Sequence, residues 1–227
     1  HDLQLKFDLH AHTTASHDFT ASALEMAEAA KARGLDGIAI TDHDAAMDSA
    51  AASSISEKTG MIVIPGIEVT TAEGHFVILA PRRPYPRGIR LMDAARAAVA
   101  DGSVPFIPHP TDPLSHGVGE VAVRQSVGLR LPLESLNAST ADKYNRTAAE
   151  LADSLSLPKL AASDAHIPKA VGDAYTIVEA SGRSLGESLE AIRAGRTSPR
   201  GGRTPMATTL EAFSRSFLRR AGIRKSV

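Results

Sequence analysis

A chain of 227 residues, 43% hydrophobic and 22% charged, has the size and balance of one large α/β domain, and length alone requires no second. Its formal net charge of −1 argues against a broad basic nucleic-acid surface, and the absence of cysteine excludes disulfides, zinc–thiolate sites and thiol catalysis. No apolar run approaches the about 18 residues that span a bilayer, and no signal peptide is visible, so the expectation is a cytoplasmic protein without a membrane partner.

Strand-like and helix-like segments alternate along the chain. Residues 5–9 predict a strand, and the Ala-rich stretch 21–33 predicts an amphipathic helix stopped by Gly34. A strand at 37–40, a helix at 45–59 stopped by Gly60, and strands at 61–64 and 75–79 follow. Next come a helix at 90–100, a strand at 104–107, a strand within 129–136, a helix at 141–155, strands at 159–162 and 175–178, and a helix at 185–194. Short apolar runs separated by helices imply a mostly parallel sheet buried on both faces. Seven or eight such strands favour a barrel over an open sheet. Arg215, Arg219, Arg220, Arg224 and Lys225 make residues 206–227 a basic tail, expected to form a solvated amphipathic helix around Leu210, Phe213, Phe217 and Leu218.

Most of the nine histidines fall in five short segments at predicted strand ends: Asp8-Leu9-His10-Ala11-His12, Thr41-Asp42-His43-Asp44, Gly66-Ile67-Glu68 with Gly74-His75, Pro108-His109-Pro110 and Ser163-Asp164-Ala165-His166. His10 and His12, two apart on a strand, point to one face and can grip one ion together. Functional groups of parallel α/β folds gather at the carboxyl ends of strands, and every candidate here does so except His75, which opens its strand. A lone histidine is more often a satisfied core residue than a ligand, but a set of His, Asp and Glu groups at successive strand ends points to metal. Imidazole and carboxylate donors without thiolate suit zinc, manganese or iron. Glu68, placed between histidines in chain order, is the candidate bridge between ions. Two or three divalent ions about 3.5–4 Å apart can polarise a phosphoryl oxygen and hold a nucleophilic hydroxide.

In order and spacing these motifs resemble the PHP (polymerase and histidinol phosphatase) family, from residue 5 to about 205, including Ala191-Ile192-Arg193-Ala194-Gly195-Arg196-Thr197. The resemblance implies a distorted seven-stranded (β/α) barrel of TIM-like type over residues 1–205, holding a trinuclear metal site. It implies that His10, His12, Glu68 and Asp164 bind one ion, Glu68, His75 and His109 a second, and His43 and His166 a third. The third ion takes one more ligand from the first loop, either Asp18 or His17. Asp18 is preferred because the spacing from His12 to Thr41-Asp42-His43 matches relatives whose ligand stands there.

Other residues have plainer readings. Asp8, Asp42 and Asp44 are candidate partners for imidazole rings, with Asp44 expected chiefly to cap the helix at 45. Arg82, Arg146 and Arg203, with Arg83, are candidate phosphate clamps or surface charges. His116 stands in a Gly/Ser/Pro-rich loop and is expected to be exposed.

The leading expectation is a metal-dependent phosphoesterase that hydrolyses a small nucleotide-like or histidinol-phosphate-like phosphomonoester with a metal-bridging hydroxide, Glu68, Asp164 and His166 being the catalytic residues. Nucleic acid is a less favoured partner, which keeps open an exonuclease or phosphodiesterase acting on oligonucleotides. A non-catalytic PHP module is the alternative from another class. Hydrolysis of a C–N bond lacks the bridging lysine expected at a strand end. Only 54 residues separate His109 from Asp164, too few for a large cap domain beside the barrel elements.

Overall fold

The structure, a computed structural model, describes residues 2–15 and 21–221. Nine strands and seven α-helices follow one another among them. In chain order they are β1 (Leu3–Asp8), α1 (Ala23–Ala32), β2 (Gly37–Ile40), α2 (Ser49–Thr59), β3 (Ile62–Thr70), β4 (His75–Leu79), α3 (Leu91–Ala100) and β5 (Val104–Phe106). Then come α4 (Gly119–Gln125), β6 (Leu133–Asn137), α5 (Asp142–Ser154), β7 (Lys159–Ala162), β8 (Ala174–Ala180), α6 (Leu185–Arg193), β9 (Thr197–Gly201) and α7 (Met206–Arg220).

The mostly parallel sheet expected from the sequence is not what forms. A curled seven-stranded sheet runs in the order β5-β4-β3-β2-β1-β8-β9, and a two-stranded sheet pairs β6 with β7. Within the larger sheet only β1/β2 and β2/β3 are parallel, while β3/β4, β4/β5, β1/β8 and β8/β9 are antiparallel. The reversal at β4 follows from its connection: residues 71–74 are too few for the crossover a parallel pair needs, so β3 and β4 close as a hairpin with Thr70 opposite His75. Continuous ladders do not close the sheets into a barrel. The two sheets meet through single backbone bridges, Ile107 with Leu133 and Ala11 with Ala165. Side chains add to this junction, since Thr176 Oγ1 accepts from Ala161 N–H and donates to its carbonyl.

Fully buried Phe7, Phe106, Leu9, Ile64, Val77 and Leu79 fill the interior beneath the site. β3 runs straight through Pro65 and Gly66, where the sequence suggested a stop. A Cβ at Gly66 would stand 2.9 Å from Thr41 Cγ2 and 3.1 Å from the Ile40 carbonyl, so only glycine lets β3 approach β2 this closely. The helix expected from residue 45 starts at Ser49, and its cap is Asp48, which accepts from Ala51 N–H. Asp44 instead accepts from Thr70 N–H and Oγ1–H, tying the loop after β2 to the end of β3.

Candidate metal centre

The hairpin explains the one histidine that opens its strand. Because β4 runs against β3, its first residue, His75, lies beside the last residues of β3, and β5, reversed again, delivers His109 to the same rim. Glu68 sits at the centre. One of its oxygens lies 3.3 Å from His10 Nε2, 3.3 Å from His12 Nε2 and 3.1 Å from His43 Nδ1. The other lies 3.1 Å from His75 Nδ1 and 3.2 Å from His109 Nε2. Asp164 closes the opposite side, 3.1 Å from His12 Nε2 and 3.4 Å from His10 Nε2. The His166 ring is 4.9 Å from that of His12, and His12 stacks on His43 at 4.4 Å.

Glu134, which the sequence reading did not single out, organises the floor. It is fully buried, and its carboxylate pairs with His10 Nδ1 at 2.9 Å and accepts from His109 N–H at 2.7 Å and Asn137 Nδ2–H at 2.8 Å. An ionised carboxylate only accepts, so the proton of His10 is held on Nδ1 and the Nε2 lone pair is turned towards Glu68 and Asp164. Asn137 also donates to Asp164 Oδ2 at 3.2 Å. The signal in the sequence was a lone acid inside an apolar strand, Leu133-Glu134-Ser135-Leu136. Asp8 is buried too, but it accepts from Ser163 Oγ–H at 2.5 Å and from the amides of Ser163 and Gly172 rather than orienting a ring. Burial pushes its carboxyl up to about 6 against those hydrogen bonds. Asp42 accepts from Thr13 N–H and Oγ1–H.

Two of the candidate ligands sit in strained backbone. His109 has φ 27° and Asp164 φ 53°, a region that side chains other than glycine rarely adopt. Their amides are secured, by Glu134 for His109 and by the His10 carbonyl, 2.9 Å away, for Asp164.

The donor set fits metal ions. With Nδ1 of His10 protonated, the Nε2 atoms of His10 and His12 face each other at 3.2 Å, and both face carboxylates. Two acceptors approach this closely only across a proton or a cation. Buried Glu68 Oε2 and His75 Nδ1 have no hydrogen-bond partner despite their short separations, which a shared cation would satisfy. Three groups have donor atoms within 4.8 Å of one another: His10/Glu68/His109, His10/His12/Asp164 and His12/His43/Glu68. Burial acts to raise the Glu68 carboxyl, but the imidazoles of His10, His109 and His12 crowded round it hold it well below the usual carboxylate range. Burial and the neighbouring imidazoles push His43 and His166 down to about 4, leaving them neutral and able to offer a lone pair. Asp18 and His17 lie outside the described residues.

The centre forms the floor of a cavity of about 350 Å³. His43, Glu68, His75, His109, Asp164 and His166 face it from below, and exposed His116 from one side, its ring 5.2 Å from that of His75. Arg82, Arg146 and Arg203 are not among the lining residues. Arg82 borders a second cavity with Arg183, Arg146 is exposed on α5, and Arg203 lies 4.0 Å from Asp142. Arg83 is engaged by Asp101. The arginine that does line the site is Arg220, on α7.

A curled α/β sheet thus carries at one rim a buried His/carboxylate centre able to hold metal ions. The PHP domain model matches residues 8–101 and the PHP-associated model residues 142–197. An uncharacterised protein of Methanocaldococcus jannaschii is 25% identical over 126 residues, 51% of this chain and 74% of that protein. A 5'-3' exoribonuclease of Haemophilus influenzae is 33% identical over 96 residues, 40% of this chain and 35% of that enzyme. Among solved structures, a two-domain protein of Bacteroides vulgatus containing a predicted PHP-like metal-dependent phosphoesterase superposes with a TM-score of 0.68 at 24% identity, covering 94% of this chain and 70% of that one. The chain belongs to the PHP family.

Proposed function

We propose that this chain hydrolyses a small phosphomonoester at the rim formed by β1, β3, β4, β5 and β7. The observation that carries the reading is Glu68, whose two oxygens meet five imidazoles at 3.1–3.3 Å on the floor of a cavity of about 350 Å³, a volume suited to a small ligand. His10, His12, Glu68 and Asp164, then Glu68, His75 and His109, then His43, His166 and Asp18 would hold up to three divalent ions, of zinc, manganese or iron. When bound, such ions supply a hydroxide nucleophile and neutralise phosphoryl charge. The protein's part is orientation. Glu134 fixes the tautomer of His10, Asn137 steadies Asp164, and the strained backbones of His109 and Asp164 keep their side chains aimed at the cavity. Elemental analysis of purified protein beside a phosphatase panel tests the reading. Bound divalent metal with turnover of small phosphomonoesters is expected, and full metal loading without turnover of any phosphoester refutes it.

A second reading, attack at an oligonucleotide end, is favoured by the exoribonuclease relative. A net charge of −1 gives it no extended phosphate footprint. Release of inorganic phosphate from a nucleotide, against mononucleotide release from a 5'-phosphorylated oligomer, separates the two.

A further inference from the structure

Helix α7 lies beyond both family-model matches, the later of which ends at residue 197, yet it forms a wall of the site. The chain enters it through Thr204, whose amide donates to the Ala138 carbonyl at 2.8 Å, and Pro205. It is seated lightly. Thr208 is its one buried residue among those described, Ala212 packs on the apolar cluster under α1, and Glu211 pairs with Lys169 at 3.5 Å. Thr208, Thr209, Ala212, Phe213, Ser216 and Arg220 line the same cavity as the metal ligands, at helical spacings that put them on one face.

Phe213 stands out in that wall. It is 70% exposed although it lines a cavity, so an aromatic face is held open to whatever enters. Of its neighbours one turn away, Thr209 and Ser216 line the cavity with their hydroxyls, beside Ala212, while apolar Leu210 and Phe217 lie outside it. An alkyl group would need a continuous apolar lining. One aromatic ring flanked by hydroxyls instead suits a flat ring with polar edges, which stacks on the face and is hydrogen-bonded at its rim.

Resting on the phosphoesterase reading above, we propose that α7 is the leaving-group wall of the site, with Phe213 stacking on a nucleobase while the phosphoryl group lies on the Glu68/Asp164 floor. Phe217, one turn on and 71% exposed, lies outside the cavity and takes no part.

The test uses two non-hydrolysable ligands with one headgroup, a nucleoside 5'-methylenephosphonate and methylphosphonate, titrated into the metal-loaded protein by calorimetry. The wild type should prefer the nucleoside ligand. Phe213→Ala should lower the ratio of the two affinities about ten-fold, in the range of base–aromatic stacking, while Phe213→Tyr and Phe217→Ala preserve the ratio. Equal affinities in the wild type, or an unchanged ratio in Phe213→Ala, overturn the proposal. So does a dimer in sedimentation that Phe213→Ala dissociates, since a second copy would then cover the ring. Turnover of phosphomonoesters, assayed in parallel, keeps the two readings apart. Turnover without a base preference sinks the stacking site alone, and a Phe213-dependent base preference without turnover sinks the hydrolase reading alone.

Discussion

Glu134→Gln isolates the role of a residue that touches the centre only through its ligands. The amide keeps nearly the same volume but has one acceptor where the carboxylate has two. The His109 amide at 2.7 Å and Asn137 Nδ2 at 2.8 Å both point at Oε2, so the amide oxygen settles there and the amide nitrogen faces His10 Nδ1. Nδ1 must then become the acceptor, moving the proton of His10 to Nε2, where it faces Glu68 and Asp164 at 3.3 and 3.4 Å. His10 is thereby lost as a ligand donor. Loss of such an orienting partner typically weakens metal binding by about 10–100-fold, about 1.4–2.7 kcal/mol. The metal-free fold keeps all three hydrogen bonds, two of them now to a neutral amide oxygen, and should lose no more than about 1 kcal/mol. Competition against a chromophoric chelator reads the affinity, and urea unfolding of metal-free protein reads the stability. Wild-type metal affinity in a folded Glu134→Gln protein would refute the tautomer argument.

Glu68→Ala should abolish turnover and sharply reduce bound metal, with far-ultraviolet circular dichroism retained; turnover within about tenfold of wild type sinks the bridging assignment. Asp18→Ala should strip one ion and His17→Ala none, as read by elemental analysis, and the reverse pattern would assign the loop ligand to His17. Chelation should lower the melting temperature in a way that added metal restores, because an ion bound only by the native state stabilises it by mass action. Gly66→Ala, whose Cβ would press on Thr41 Cγ2 at 2.9 Å between neighbouring strands, should cost about 1–3 kcal/mol in urea unfolding.

The sequence made the donor set legible because metal chemistry restricts residue types, so the histidines of the five strand-end motifs announce themselves. Strand direction was hidden. Apolar runs such as Phe76-Val77-Ile78-Leu79 look the same whichever way the strand runs, and only the short 71–74 connection betrays the hairpin. The arginines misled for a related reason. Arg82 and Arg203 stand near strand ends in the chain, but side-chain direction and the fold-back of α7, which brings Arg220 to the site, are tertiary facts with no local signature. Glu134 was passed over because a single acid in a strand reads as a solvent-facing residue until its burial is known. Asp44 lost its expected capping role because Thr70, distant in sequence, competes for its carboxylate.

The single bridges where the two sheets meet have a mechanical consequence. At one junction Ala11 meets Ala165, and the candidate ligands on either side of it are His10, His12 and Asp164. At the other Ile107 meets Leu133, and His109 reaches across to Glu134. Each place where the backbone contributes least is therefore spanned by polar side chains of the centre. The donors act as rivets in a wall whose own seams are thin, and whatever loosens them should show first as faster amide exchange at residues 11, 107, 133 and 165, before any strand interior opens.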